Sequence, residues 1–242
     1  VREPAAAGAA ARAVAWLGRQ QNSDGGWGAL EGDRESGWAT AAAVLALTRA
    51  SGPGVDRGSA WLLQHRSRSV KAPANNAVKL DASLVGWGWT VETLGWVVPT
   101  SLSMLALVAA GAAAAGQLQA ARRLLLDRAC AGGGWNWGNP DMFGSGLPPT
   151  AQETSVAVLA LLAIGAASEP AVGAGLDWLA ANVVDPVGPA AVAWSVLALG
   201  AAGRSAAGPL TRLQAARGAD GGWAADARTT ALATMALAGG GL

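Results

Sequence analysis

The sequence has one cysteine (Cys130), one histidine (His65), one phenylalanine (Phe143) and no tyrosine among 242 residues. A single thiol closes no disulfide, and one thiol with one imidazole builds no Cys/His metal cluster, so neither a metal nor a cofactor is expected. Charge is also scarce, at 14% of residues with a formal net charge of +1. The 17 basic residues are scattered, which argues against a nucleic-acid partner. Their one local concentration, HRSRSVK at 65–71, reads as a solvated loop. No run reaches the roughly 18 apolar residues of a membrane-spanning helix. The nearest, MLALVAAGAAAAG at 104–116, is interrupted by glycine and dominated by alanine. No signal peptide is visible, and the compartment stays open. The first residue is Val1 rather than methionine, from which an upstream segment that was cleaved or omitted is expected.

What the sequence does have is apolar mass, 52% of residues, enough for a substantial core and incompatible with disorder. It is arranged as a repeat. One recurring segment is apolar nearly all round: ATAAAVLALTRA (39–50), VPTSLSMLALVAAG (98–111), TAQETSVAVLALLAIG (150–165), PAAVAWSVLALG (189–200) and TTALATMALAG (229–239). Such a pattern belongs to a helix covered on both sides. A second kind carries polar positions on one face: 4–21, 56–66, 116–130, 170–183 and 205–218. Gly-, Pro- and Asp-rich turns separate them, including ASGPG at 50–54 and GNPDMFGSGLPP at 138–149. No strand alternation is seen. The pattern predicts a single all-α domain over 1–242, with the apolar helices as an inner layer and the amphipathic helices as an outer one. An open solenoid shares the same hairpin repeat.

A Gly-Gly-Trp turn also recurs. In the first copy Trp16-Leu17, Gln21, Gly25 and Trp27 follow in fixed spacing. The last copy has Leu213, Gly221 and Trp223, with Arg217 in the glutamine position; the middle one is read as Leu126, Gly133 and Trp135, with Cys130 in that position. Trp61-Leu62 and Trp178-Leu179 read as remnants that lack the Gly-x-Trp end. This pattern resembles the QW motif of the terpenoid cyclase and protein prenyltransferase superfamily. The stretches 84–107, 124–139 and 147–163 are similar to squalene-cyclase-like repeat proteins. The resemblance covers essentially the whole chain and implies an α/α toroid of about five helical hairpins, an inner ring within an outer ring. It also implies that Gln21, Trp27, Trp135 and Trp223 are structural, the glutamine capping an outer helix and the tryptophan stacking over it. Toroids of this kind usually carry more hairpins than the five counted here, so the ring either closes with five or is open to a protein partner.

The chemistry that the resemblance implies is only partly represented. Cyclases of this superfamily protonate an alkene or epoxide with a neutral carboxylic acid in a D-x-D-D motif. The matching place reads TAQE at 150–153, with Gln152 in the donor position and Glu153 last. Gln152 is no Brønsted acid; Glu153 is either an acid with a raised pKa or a helix N-terminal residue favoured by the macrodipole. Asp226 precedes the fifth apolar helix, and Glu92 lies in GWGWTVETLGW; these are the other candidate acids. No D-D-x-x-D cluster for Mg²⁺ is present, and Asp127-Arg-Ala-Cys130 does not match a prenyltransferase zinc set. His65 reads as a helix cap and Cys130 as a small buried hydrophobe. Tryptophan dominates the aromatics with twelve copies. Those outside QW-type positions, namely Trp87, Trp89, Trp96 and Trp137, with Trp38 and Trp194, are candidates for a ligand-facing wall, together with Thr100 and Gln152. Filling the centre of the fold is the plainer role for them.

Three functions stay open at this stage. One is an isoprenoid or other apolar-ligand binder, or a non-standard cyclase. The second is a non-catalytic interaction module or complex subunit. The third is a protein that rests an apolar patch on a membrane surface.

Overall fold

Helical spacing of alanine, leucine and valine produces ten α-helices among the residues described by this computed structural model, which are 4–71, 79–112, 115–183 and 187–239. Val1 and positions 113–114 of the alanine-rich run lie outside them. In chain order the elements are α1 (Pro4–Gln20), α2 (Ala39–Arg49), α3 (Val55–Gln64), α4 (Val97–Ala109), α5 (Ala115–Asp127), β1 (Asp141–Met142), β2 (Ser145–Gly146), α6 (Ala151–Ala163), α7 (Pro170–Asn182), α8 (Pro189–Ala201), α9 (Ala207–Ala215) and α10 (Ala227–Leu237). The chain is therefore essentially all-α. The exception is a two-residue antiparallel ladder, Asp141 opposite Gly146 and Met142 opposite Ser145, which the sequence pattern does not announce. Phe143 and Gly144, both at positive φ, make its tight turn.

The chain divides into two compact units, Val1–Ala72 with Asp81–Leu124, and Pro73–Leu80 with Leu125–Leu242. In the first, α2 packs on α4, α3 covers both, and α1 lies on α2. In the second, α8 packs on α6 and α10, α7 covers α6 and α8, and α9 lies on α8. The even-numbered helices thus pack on one another within each unit, and α1, α3, α7 and α9 each lie on an even-numbered one. Burial follows the expected pattern in α4, where every residue from Val97 to Leu107 is buried, and in α6, where Glu153 through Leu161 are. It does not in α10. There only Thr229, Ala233 and Ala236 are buried and Met235 is exposed, because α10 lays one side on α8.

The Gly-Trp turns explain how an odd helix is joined to the following even one. In each, the tryptophan indole N–H donates to a leucine carbonyl at the end of the odd helix: Trp27 to Leu17 (2.8 Å), Trp135 to Leu125 (2.6 Å) and Trp223 to Leu213 (2.6 Å). The tryptophan main-chain N–H donates to a threonine hydroxyl in the first turn of the even helix, Thr40, Thr154 or Thr230, each at 2.9 Å. That hydroxyl in turn donates to the tryptophan carbonyl. A Cβ on the glycine before the tryptophan would sit 2.9 Å from the hydroxyl of Thr40 at Gly26 and 2.6 Å from that of Thr154 at Gly134. Glycine is therefore required where the hydroxyl makes this approach.

Three sequence assignments are corrected here. The middle copy is registered on Leu125, not Leu126, which puts Ala129 in the glutamine position. Cys130 instead matches Asn22: its N–H donates to Gly134 O, as that of Asn22 does to Gly26 O, both at 2.9 Å. The second concerns Trp61-Leu62, which has a tryptophan turn of its own, although Val85 stands where Gly-x-Trp has its glycine. It comes 25 residues later, where Trp87 donates its indole N–H to Leu62 O (2.8 Å) and its main-chain N–H to Thr100 Oγ1 (3.0 Å). Third, Trp87 and Thr100 consequently form a fourth turn, with exposures of 2% and 0%, a packing role beside the ligand-facing one expected of them.

Gln21 makes a bridge where a cap on α1 is expected. Its Nε2 donates to Gly25 O (2.8 Å) and to Gly54 O (2.9 Å), and Gly54 is the N-cap of α3. One amide thus ties the end of α1 to the start of the next odd helix. Arg217 makes the first of these two bonds in the last copy, with Nε donating to Gly221 O (2.9 Å) and its guanidinium 5.4 Å from the Trp223 ring centre.

Candidate functional site

The first unit carries a cleft of about 530 Å³. The α1–α2 loop lines one side of it, and the end of α3 and the Trp89–Val91 segment line the rest. Asp24 organises the loop side. Its Oδ1 accepts from Gly26 N (3.0 Å) and Ser36 Oγ (2.8 Å), and its Oδ2 from the Trp61 indole (2.9 Å). Asn22 Nδ2 donates to Ser36 Oγ at 3.1 Å, so a relay of donors ends on this carboxylate. Burial acts to raise the Asp24 pKa, but the hydrogen bonds from Gly26, Ser36 and Trp61, with the nearby His65, outweigh it and hold the pKa below the ordinary value. Asp33 accepts from Glu35 N (3.0 Å) and Ala29 N (2.9 Å), which hold its pKa down too. Both are carboxylates at neutral pH.

The other walls are aromatic. Trp38 and Trp89, both half-buried, meet edge to face with ring centres 5.6 Å apart and planes at 76°. The Trp38 N–H donates to Trp89 O (3.2 Å), which holds the loop before α2 against the insertion before α4. A Cβ on Gly37 would lie 3.0 Å from that same carbonyl, so a side chain there would press on it. His65 stacks on Trp61 at 4.6 Å, and its Nδ1 lies 3.0 Å from Trp61 O, the helix-end role read from the sequence. A second groove, of about 470 Å³, lies in the other unit; Leu159, Val196, Leu197, Leu210 and Ala236 line it, with Arg204.

The structure brings few of the other candidate residues together. Trp89 lines the cleft. Trp96 is the half-buried N-cap residue of α4, and its N–H donates to Trp87 O at 3.0 Å. Trp137 is 59% exposed on a different loop. Glu92 is exposed at a positive φ of 62°. Asp226 is the N-cap of α10. The Thr229 hydroxyl (2.5 Å) and N–H (2.8 Å) both donate to it and hold its pKa down, opposite to what a proton donor needs. Glu153 is buried in the first turn of α6, where the Thr150 hydroxyl donates to it, and Gln152 beside it is half-buried. Cys130 is buried, and burial pushes its thiol pKa up, as expected of a small core residue. No group of three or more His, Cys, Asp or Glu suited to a metal occurs among the described residues.

Sequence reasoning missed Asp24, Asp33 and Ser36. The available signal was the density of Asp, Ser and Gly in NSDGGWGALEGDRES at 22–36, which reads locally as an ordinary loop. No protein-family profile matches the chain, and no curated protein matches it.

Proposed function

We propose that this chain is a binding protein built on the α/α toroid plan of the squalene-cyclase-like proteins, and that it takes an apolar small molecule in the tryptophan-lined cleft of its first unit. The observation that carries this reading is the Trp38–Trp89 corner, two half-buried indoles at 76° on one cleft of about 530 Å³. Catalysis in the manner of a cyclase finds less support. Asp24, Asp33 and Asp226 are held in their charged form, Glu92 is exposed, and no second acid is hydrogen-bonded to Glu153 among the described residues.

The test is an ¹⁵N-resolved spectrum of the tryptophan indole N–H groups, titrated with farnesol as an apolar isoprenoid probe. Saturable shifts of the Trp38 and Trp89 signals, lost in Trp89→Ala, are expected. Shifts elsewhere only, or none, would refute the assignment of the site. A second reading, an interaction module, is favoured by Trp137, Met142 and Phe143, exposed by 59%, 37% and 80% on one loop. It predicts a captured protein partner that is lost on Phe143→Ser while farnesol binding stays unchanged.

A further inference from the structure

We infer that the ligand of the first unit's cleft joins to its apolar body a positive charge without N–H donors, a quaternary ammonium group or its close equivalent. This rests on the cleft being a binding site at all. Three carboxylates, Asp24, Asp33 and Glu35, line it against one guanidinium, Arg34. An anionic phosphate or carboxylate head would meet repulsion there, whereas a cation would be drawn in.

The hydrogen-bond inventory then narrows the cation. Asp24 already accepts three donors and Asp33 two, all from the protein itself. A carboxylate offers about four acceptor positions, so Asp24 keeps one and Asp33 two beside those of Glu35, and a primary ammonium gains fewer new bonds from the two aspartates than from free carboxylates. A methylated ammonium asks for no acceptor. It responds to the field of the carboxylates and to the faces of aromatic rings, and it is weakly hydrated and thus readily desolvated. The perpendicular indoles of Trp38 and Trp89 supply a two-walled corner for such a group. Trp61 serves otherwise: its N–H is given to Asp24 and one face to His65, so it fixes the wall without offering a free ring.

The experiment uses the full chain and three probes of similar size: choline, its neutral isostere 3,3-dimethylbutan-1-ol, and ethanolamine. Binding is followed by calorimetry and by the indole N–H signals. Choline should shift the Trp38 and Trp89 signals saturably, with the alcohol and ethanolamine each on the order of tenfold weaker or more. Salt should weaken choline and leave the alcohol unchanged. Trp89→Ala should abolish choline binding. Because that variant also removes packing, Glu35→Gln provides a second measure: Glu35 is exposed, so the variant should keep the wild-type melting temperature and lower choline affinity several-fold. Equal affinity for choline and the alcohol would overturn the charge assignment while leaving the cleft as an apolar site. No choline shift at these two indoles would also overturn it, and the cleft reading itself fails only if farnesol leaves them unmoved as well.

Discussion

Replacing Thr154 by valine keeps the shape of the side chain and removes only its hydroxyl. In the turn between α5 and α6 that hydroxyl accepts from Trp135 N (2.9 Å) and donates to Trp135 O (3.1 Å), with Trp135 and Thr154 both at 0% exposure. The carbonyl keeps a partner, since Thr150 N also donates to it at 2.8 Å. The N–H keeps none. A buried donor stranded in this way costs about 1–3 kcal/mol, so Thr154→Val should destabilise by about 2 kcal/mol. For a chain of this size that corresponds to a fall in Tm of about 4–8 °C. The same geometry at Thr40 and Thr100, also at 0% exposure, predicts a similar loss. Thr230 is half-buried, so water can replace its hydroxyl and Thr230→Val should cost less than about 1 kcal/mol. The assay is a urea titration of each variant, comparing midpoints at constant slope. Loss of less than about 0.5 kcal/mol in Thr154→Val, or an equal loss in Thr230→Val, would show that the threonine bond is not what joins these helices.

Other expectations follow from the same contacts. Gly134→Ala should cost about 3 kcal/mol or more, because the residue has φ of +77° and its Cβ would lie 2.6 Å from Thr154 Oγ1; Gly132→Ala, with open space around it, should be within about 0.5 kcal/mol of wild type, and thermal unfolding compares the two. Gln21→Ala removes donors to Gly25 O and Gly54 O and should lower stability by about 2 kcal/mol, measured by urea unfolding. The depressed pKa values of Asp24, Asp33 and Asp226 mean that each stabilises the fold at and above the ordinary carboxylate range. That contribution is lost as the pH falls through the folded-state values. Asp226→Asn should therefore flatten the acid side of a plot of Tm against pH; an unchanged slope would refute the cap's role.

The helices were legible because burial imposes its period on alanine and leucine. Every apolar segment read from the sequence overlaps an even-numbered helix, and the first amphipathic one, 4–21, differs from Pro4–Gln20 by a single residue. The turns were legible only where the chain between helix and tryptophan is short. Leu17, Leu125 and Leu213 each precede their tryptophan by 10 residues, a spacing that can be searched for; three successive leucines at 124–126 left the middle copy one residue out of register. Leu62 and Trp87 are separated by an insertion, so only the folded chain pairs them. The cleft was half legible. Trp89 stood out because no turn claimed it, whereas Asp24 acquires its meaning from Trp61, 37 residues away. Exposure of α10 was not legible, since the apolar content of a segment does not say how many neighbours it has.

In the four turns the threonine follows its tryptophan by 13, 13, 19 and 7 residues, yet the bond made is the same. The anchor points are fixed while the chain between them is free to change length. Segments can thus be inserted or removed between tryptophan and threonine without disturbing the helices on either side. The variable stretches here include 28–39, with Asp33 and Glu35, and the 137–146 loop with its exposed aromatics. A scaffold of this kind keeps its framework constant while recognition surfaces are exchanged, and grafting a foreign loop between Trp135 and Thr154 should yield a folded chain.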